Sequence, residues 1–446
     1  MKNSGYEKVF QDASVWRSIF RMAVPSLLTI VIMIFYNMAD TFFIAQLGDY
    51  TKVASVSIVT PVFSMIMALS TMIGAGGSAV IAGDIGADDR EKAMNDSSTC
   101  FYAAVILGIV LSACLLMFPD PLLRMLGTKP EMWNDSAAYL RILSCGTVFM
   151  LIPSAMGMIV RAEGAVKEGL IGNMSGTVTN LILDPLFILV FRWGVPGAAF
   201  ATVIGNILSS CYYVFYVLKK SHALSLSLHR VMISPLAILP AASLGLPNAL
   251  STILSGFSSA FSNSLLSGYG TQAIAARAAA GKVSMLISMV QMGICMGVQP
   301  LLAYHYGAKD QKRLREVLQK TALLTGMIGA GTMLISFIFR HFIVSLFLKD
   351  MAVAAIGEKY MLYVMAGAPF LGIVYLTTSF LQASKNAGSA VIVSMLRQGL
   401  LLIPLLYLFH RIFGFYGIAA SHMTADILAA LSAGIIFFRE YRSFAK

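Results

Sequence analysis

Long apolar runs recur along this chain and constrain its fold more than any other feature. Twelve runs of about 20 to 30 residues follow one another, and no connecting stretch is long enough for a soluble domain. A helix needs about 20 consecutive apolar residues to cross the hydrocarbon core of a bilayer. Each run therefore predicts one membrane-spanning helix. The runs are centred near Ile32, Met67, Ile106, Met150, Ile182, Ile207, Ser255, Ser288, Ile328, Met365, Leu400 and Leu431.

The composition leads to the same class of protein. Of the 446 residues, 58% are hydrophobic and 12% are charged, whereas a soluble domain carries about 25% charged residues. We therefore predict an all-α polytopic membrane protein with twelve transmembrane helices.

The N-terminal stretch lacks a short apolar core followed by a small-residue cleavage site, so it is expected to be retained. The five cysteines lie in apolar runs without metal-ligand spacing and are expected to be packing residues.

The formal net charge of +11 is distributed unevenly along the chain. If the N-terminus is cytoplasmic, the segments on that side hold 20 of the 32 Lys and Arg residues, and the segments on the other side hold 11. The positive-inside rule predicts such a bias and places both termini in the cytoplasm. The charge is thus expected to orient the protein among the membrane lipids, and no binding of nucleic acid is expected.

The two halves of the sequence resemble each other. The pair Gly86–Ala87 recurs as Gly307–Ala308, at an offset of 221 residues, inside a longer matching stretch. Each half holds six of the predicted spans, so both copies start on the same side of the membrane. This parallel repeat predicts two six-helix bundles related by an axis along the membrane normal, with a cavity between them that opens to either side. Gene duplication without a transport role is the alternative.

The predicted boundary between the bundles lies in a polar segment at the middle of the chain. We assign residues 1–224 to an N-lobe and residues 225–446 to a C-lobe. The linker between them is the stretch from Lys219 to Ser234, which contains His and Ser residues. A two-lobed chain of this kind encloses its own cavity, so a monomer is expected.

A carboxylate, Asp40, interrupts the first apolar run. A charged Asp near the bilayer centre costs about 2.5–3.5 kcal/mol on insertion scales, and such residues usually line a wet cavity. Tyr36 and Asn37 lie one turn before Asp40, so a phenol and an amide are expected to face the same cavity. The alternative is that Asp40 only marks the membrane surface, since Gly48 and Asp49 end the run nearby.

The fifth run contains a second acidic group beside a proline. Asn180 and Asp184 are four residues apart, so they share one face of a helix. Pro185 has no backbone N–H and clashes with the carbonyl four residues back, which frees the carbonyl of Leu181. Irregular backbone deep in a membrane is tolerated where it lines a cavity. The sequence therefore gathers a carboxylate, an amide oxygen and a free carbonyl, all of them hard oxygen ligands, at one helix irregularity.

Several of these stretches together resemble the multidrug and toxic compound extrusion (MATE) family, over nearly the whole chain. The resemblance implies secondary active efflux of amphipathic, mostly cationic small molecules, driven by inward flow of H⁺ or Na⁺ across the plasma (inner) membrane of a prokaryote. The stretches that carry it are "YNMADTFFIAQLGD" from Tyr36, "RAEG" from Arg161, "GNMSGTVTNLILDPLFI" from Gly172, "GVPGAAFAT" from Gly194, and the "GA-D" loops after the second and eighth spans.

By this resemblance, Asp40, Asn180, Asp184 and Thr202 correspond to the cation site in the N-lobe of the family. The coupling ion, H⁺ or Na⁺, takes the place of a cofactor, and Asp40, Asn180 and Asp184 are the candidate Na⁺ ligands. Ordinary hydrogen bonding between helices is the alternative role for Asn180 and Thr202. The full predicted site for cation coupling and substrate binding comprises Asp40, Asn180, Asp184, Tyr36, Asn37 and Thr202.

The second half of the repeat lacks the acidic pair. Asp40 aligns with Ser262 and Asp184 aligns with Ile403. Some family members carry acidic residues in spans seven and ten, but the corresponding stretches here contain no Asp or Glu. We therefore expect coupling through the N-lobe. The secondary candidates in the second half are His422, Asp426 and Arg397.

Two interpretations remain open for each secondary candidate. His422 lies one turn before Asp426 and aligns with Thr202. The side chains of His422 and Asp426 therefore either both face a cavity or form a local structural hydrogen bond with each other. Arg397 lies within span eleven. Either it has a structural role, paired with a carboxylate or a carbonyl, or it faces the cavity. Arg277, at the start of span eight, is expected to extend towards the lipid headgroups.

Other functions are less well supported by the residues. An intramembrane enzyme would need nucleophile–base pairs or metal ligands, but the six histidines are scattered and neither H-E-x-x-H nor a phosphate-binding G-x-x-x-x-G-K-[ST] motif occurs. We therefore expect that the protein is not an enzyme. A flippase for lipid-linked sugars, as found in the broader superfamily, would favour a cationic cavity, whereas the best candidates here are acidic.

Overall fold

The structure is a computed structural model that describes residues 9–47, 49–233, 235–345 and 351–445, and these residues are mostly helical. The helices of the first half are α1 (Val15–Ala45), α2 (Tyr50–Gly86), α3 (Arg90–Met117), α4 (Pro119–Met125), α5 (Trp133–Ala162), α6 (Val166–Pro185), α7 (Val195–Lys219) and α8 (Leu228–Ile233). Those of the second half are α9 (Ile238–Ser267), α10 (Thr271–Gly307), α11 (Gln311–Ile338), α12 (Arg340–Ser345), α13 (Met351–Ala366), α14 (Ala368–Ala383), α15 (Ala387–Met395) and α16 (Leu402–Ala445).

The helices account for the predicted number of spans. Within the described ranges, ten helical stretches are long and apolar enough to cross a membrane, or eleven if the pair Val353–Ala366 and Ala368–Ala383, bent by 41°, is one span. The last stretch, Ala387–Arg442, has 56 residues. At 1.5 Å per residue it would be about 84 Å long, far beyond a hydrocarbon core of about 30 Å. It is broken at Gly414 (φ 61°, ψ −135°), so it is long enough for two spans, and counting it as two, with the bent pair as one, gives the predicted twelve.

The chain divides into two compact units, which share helix α1. The first unit consists of the residues up to Gln11 and of Pro25–Gly245, and the second consists of Asp12–Val24 and Leu246–Lys446. The predicted linker belongs to the first unit because it is fastened to α3. There Ser225 donates its backbone N–H to Ser97 Oγ over 2.9 Å.

The internal repeat is visible in the backbone. Gly194 precedes α7 with φ 61° and ψ −136°, and Gly414 interrupts α16 with nearly the same angles. This region of backbone space strongly favours glycine, which has no Cβ. Asp88 and Lys309, which are 221 residues apart, are also both left-handed, with φ of 60° and 55°. The same chain reversals therefore recur in both units.

The residues after these left-handed turns also serve the same purpose in both units. Asp89 caps α3 by accepting a hydrogen bond from the backbone N–H of Lys92 over 3.1 Å. Asp310 caps α11 in the same way, from the backbone N–H of Arg313 over 3.0 Å. Such caps typically contribute about 1 kcal/mol to helix stability. The repeated "GA-D" sequence is thus a helix-capping turn.

Each unit contains one helix irregularity near its repeated proline. In the first unit, α6 ends at Pro185 and continues as a π-helical turn over Leu186–Val190. In the second unit the π-helical turn spans Leu396–Leu400 and therefore precedes Pro404. Single π-helical turns inside α-helices occur frequently at functional sites. The predicted irregularity of the fifth span is present, and the second unit has its own, at a different register.

Candidate functional site

Most of the predicted site residues lie at one depth in the first unit. Asp40 is five residues before the end of α1, and Thr202 is seven residues after the start of α7. At 1.5 Å per residue, both lie roughly 8–11 Å from those helix ends. Asp184 is six residues before Val190, where the span formed by α6 and its π-helical turn ends. Because successive spans alternate in direction, these three helix ends belong to one side of the membrane.

A chain of polar contacts joins three helices of the first unit. The amide of Asn180 donates from Nδ2 to Asp184 Oδ1 over 3.4 Å and lies 3.3 Å from Thr202 Oγ1, to which it also donates. The hydroxyl groups of Thr202 and Tyr36 are 3.3 Å apart, and either can be the donor. As predicted, Asn180 and Asp184 lie on one face of α6. Through Thr202 and Tyr36, this face is linked to α7 and α1.

Two glycines permit this contact between α6 and α7. A Cβ added at Gly205 would lie 2.6 Å from the carbonyl oxygen of Gly176, and one added at Gly176 would lie 2.8 Å from the carbonyl oxygen of Gly205. Small residues allow helix backbones to approach this closely in membranes. Asn180 is one turn after Gly176, and Thr202 is nearly one turn before Gly205. The close approach of the backbones thus brings the two polar side chains together.

Three oxygen atoms of this site are buried without a hydrogen-bond partner. They are Asp40 Oδ1, Asn180 Oδ1 and Asp184 Oδ2, and the absence of a partner refers to the described residues. Leaving such a group unsatisfied costs about 1–3 kcal/mol, and more for a charged group. Asp40 and Asp184 are also close enough for their charges to interact. Two carboxylates in a desolvated site cannot both ionise cheaply, so the site favours the uptake of a positive charge.

The chemistry of these donors fits the predicted coupling ions. Carboxylate and carbonyl oxygens are the ligands that hard metal cations prefer, and a proton on either carboxyl group would convert an unsatisfied acceptor into a donor. The described residues contain no group of three or more His, Cys, Asp or Glu side chains that could hold a metal ion. A metal cation bound here would therefore rest on Asp40, Asp184 and the amide oxygen of Asn180.

Asp49, which follows Asp40 in the sequence, has a structural role at the start of α2. The carboxylate of Asp49 caps α2 by accepting a hydrogen bond from the backbone N–H of Thr51 over 2.9 Å. Hydrogen bonding to Thr51 lowers the pKa of the Asp49 carboxyl group. Asp40 is half-buried within α1. The side chain of Asn37, which was predicted to join the site, lies outside the described part of the structure.

One residue near the acidic pair was missed by the sequence analysis. Tyr139, on α5, is almost fully buried and lies within electrostatic range of Asp40, Asp184 and Tyr36. It is six residues after the start of α5, so its depth matches that of Asp40. Comparing distances from the predicted helix ends would have been the signal that identified it.

The secondary candidates form a different arrangement in the second unit. Arg397 donates from Nε to Asp426 Oδ1 over 2.7 Å and from Nη1 to the hydroxyl group of Tyr375 over 3.0 Å. The partner of Asp426 is therefore Arg397, and among the described residues no hydrogen bond joins Asp426 to His422. His422 is half-buried on α16. Of the two expected partners for Arg397, the structure shows a carboxylate.

Comparisons with known proteins agree with the predicted family. The MatE family model matches residues 25–186 and 247–408, one match in each half of the repeat. The multidrug export protein MepA of Staphylococcus saprophyticus is 29% identical over 429 residues, which cover 96% of this chain and 95% of the relative. MepA of Staphylococcus aureus strain N315 is 28% identical with the same coverage.

Solved structures show the same fold. A crystal structure of a MATE protein in the bent conformation has a TM-score of 0.94 at 22% identity and covers 100% of this chain and 99% of that one. An outward-facing multidrug resistance MATE family transporter of the MOP superfamily has a TM-score of 0.92, with 22% identity and full coverage of both chains. With its many apolar helices and its family match in both halves, the chain is a multi-pass membrane protein that belongs to the MatE family.

Proposed function

We propose that the protein is a secondary active multidrug efflux transporter that exchanges H⁺ or Na⁺ for amphipathic, mostly cationic compounds by alternating access. The observation that carries the proposal is the set of three unsatisfied oxygen atoms of Asp40, Asn180 and Asp184 in the first unit. Two of these residues, Asp40 and Asp184, are ionisable, and ionisable groups inside a membrane protein by default indicate an ion or substrate pathway. The names of the relatives, multidrug export proteins, support the same function.

The exchange follows from competition for one negative charge. A proton or Na⁺ bound at Asp40 and Asp184 removes the charge that attracts a cationic drug. Release of that ion on the cytoplasmic side restores the affinity for the drug. Ion and drug therefore occupy the site in turn, and the inward ion gradient drives the drug outwards. A ligand that binds two states unequally shifts their populations by its differential affinity.

The test is transport by purified protein in liposomes that carry a proton gradient or a sodium gradient, one at a time. We expect that at least one gradient drives transport of a monovalent amphipathic cation such as ethidium, and that collapsing the gradient with an ionophore stops it. Liposomes without protein are the control. Transport of anionic or neutral polar compounds only, or of ethidium without any gradient, would contradict the proposal.

A flippase for lipid-linked sugars and an intramembrane enzyme remain the alternative functions. The flippase would need a cationic site for an anionic pyrophosphate, but Asp40 and Asp184 make the site of the first unit acidic. The relatives are named as export proteins, which favours transport over catalysis. The liposome assay separates these cases, because a flippase would move a fluorescent lipid without export of ethidium.

We further propose that the protein lies in the plasma (inner) membrane of a prokaryote, with both termini in the cytoplasm, as the distribution of Lys and Arg residues suggests. Ser227, an exposed residue of the linker, provides the test. In a variant whose five cysteines are replaced, Ser227→Cys should react with membrane-permeant thiol reagents but not with impermeant reagents applied to intact cells. If impermeant reagents labelled Ser227→Cys in intact cells, the linker would lie outside the cell and the proposed orientation would be contradicted.

A further inference from the structure

The last helix carries a face of exposed apolar and cationic side chains near its end. Between Leu431 and Arg442 the exposed residues of α16 recur every three or four positions, which is the spacing of one helix face. They are Leu431, Ile435, Phe438, Arg439 and Arg442. The first three are 60%, 72% and 64% exposed. This face is therefore apolar towards the middle of the helix and cationic towards its end.

The opposite side of the same stretch packs within the second unit. The ring centroid of Phe437 lies 5.1 Å from that of Phe380 on α14, and Glu440 accepts a hydrogen bond from Ser389 Oγ on α15 over 3.4 Å. Glu440 stands between the two arginines in the sequence, but its hydrogen bond is made to α15. Among the described residues, no Asp or Glu oxygen lies within 4.0 Å of either arginine of the exposed face. Their two guanidinium groups therefore have no carboxylate partner there.

The depth of this face along the helix matches the boundary between hydrocarbon and lipid headgroups. Counted as two spans, α16 reverses at Gly414, which then lies at one surface of the membrane. Ile435 follows Gly414 by 21 residues, or about 32 Å at 1.5 Å per residue, close to the hydrocarbon thickness of about 30 Å. Arg439 and Arg442 lie about 6 and 10 Å further along the helix. The apolar residues thus end where the hydrocarbon ends, and the arginines lie at the level of the headgroups.

An open groove of about 480 Å³ lies on this face, lined by Ile435, Phe438, Arg439 and Arg442. We propose that the groove binds one anionic phospholipid, with its phosphate on the two arginines and an acyl chain along Ile435 and Phe438. Guanidinium groups bind phosphate oxygens through paired, charge-assisted hydrogen bonds. The acyl chain covers the apolar half of the groove, which a free phosphate ion would leave exposed. A zwitterionic phospholipid is disfavoured, because its ammonium group would be repelled by two arginines that no carboxylate neutralises.

The test is native mass spectrometry of the purified protein in detergent, titrated with dioleoyl phosphatidylglycerol or with dioleoyl phosphatidylcholine. We expect the wild type to bind phosphatidylglycerol roughly tenfold more tightly, since each arginine near an anionic headgroup is worth roughly fivefold in affinity. Arg439→Gln/Arg442→Gln should hold one phosphatidylglycerol fewer than the wild type, and Ile435→Ser/Phe438→Ser should weaken the binding of both lipids. All four side chains are exposed, so both variants should elute like the wild type in size-exclusion chromatography.

The matched control is Arg411→Gln, which removes an exposed Arg before the break in the same helix and should hold as many phosphatidylglycerol molecules as the wild type. Equal affinity of the wild type for the two lipids, or an unchanged count in the double arginine variant, would overturn the proposal. Displacement of the lipid by excess inorganic phosphate would do the same, because the groove would then recognise phosphate alone.

A second copy of the chain is the other occupant that this measurement detects. If the wild type showed the mass of a dimer and the double arginine variant only that of a monomer, the groove would be a contact between copies and the lipid proposal would be wrong. The assay uses no gradient and no drug, so its failure would leave the proposed transport function intact.

Discussion

Asp184→Asn is expected to abolish gradient-driven drug efflux while the protein still reaches the membrane. Asp184 is fully buried and accepts a hydrogen bond from Asn180. Asn has nearly the same shape, so packing against α7 should persist, but it cannot take up a proton or carry a negative charge at any physiological pH. Ethidium efflux from energised cells should therefore fall to the level of cells without the protein, and the amount of protein in the membrane fraction should not change.

Asp40→Asn should impair efflux severely and shift its pH dependence, without necessarily abolishing it. Asp40 is only half-buried, and its Oδ1 has no hydrogen-bond partner among the described residues, so we expect it to contribute mainly charge. Removing it relieves the charge interaction with Asp184, which changes how the remaining carboxyl group binds protons. Efflux rates measured across a pH series, for the variant and the wild type, report this shift.

The matched control for both variants is Asp120→Asn, which changes an exposed Asp of the first unit and should leave efflux unchanged. The decisive outcome comes from the double variant Asp40→Asn/Asp184→Asn. If proton-coupled efflux persisted in it at the wild-type rate, coupling through the first unit would be excluded.

The parts of the fold that rest on local sequence were predictable. Apolar runs indicate spans because a bilayer offers the backbone no hydrogen-bond partners, so each crossing must be helical. The repeated "GA-D" turn was visible as a sequence match and proved to be a repeated backbone conformation, as are the glycines at positions 194 and 414. The pair Asn180 and Asp184 could be placed on one face because helix geometry alone determines that face.

The contacts between helices could not be predicted in the same way. The depth of Tyr139 follows from its distance to the end of α5, but the rotation of α5 that brings it near the acidic pair is not indicated by its neighbouring residues. The partner of Arg397 was left open between a carboxylate and a carbonyl, since 29 residues separate it from Asp426. Arg277 donates to Asn263 and Ser259 on α9, and these acceptors, on another helix, could not be identified from sequence. In each case the missing information was the depth and rotation of neighbouring helices.

The ion pair between Arg397 and Asp426 is buried at the irregular helix of the second unit. The two side chains are only 13% and 11% exposed, and Arg397 lies in the π-helical turn Leu396–Leu400. Breaking a buried pair by removing one partner is strongly destabilising, by about 3–5 kcal/mol, because it leaves an uncompensated charge. Replacing both partners by apolar residues is often neutral, because the desolvation of both charges is then avoided.

We therefore expect that Arg397→Met lowers the thermal unfolding temperature of the detergent-purified protein substantially, and that Arg397→Met/Asp426→Leu recovers most of the loss. Lys320→Met, which breaks the more exposed pair with Glu316, is the control and should change the stability by less than about 1 kcal/mol. If Arg397→Met were as stable as the wild type, the pair would not hold the second unit together.

Efflux by the double variant then separates the two roles left open for Arg397. Recovery of both stability and efflux means that the pair is structural, whereas a stable double variant without efflux means that the charges act in transport.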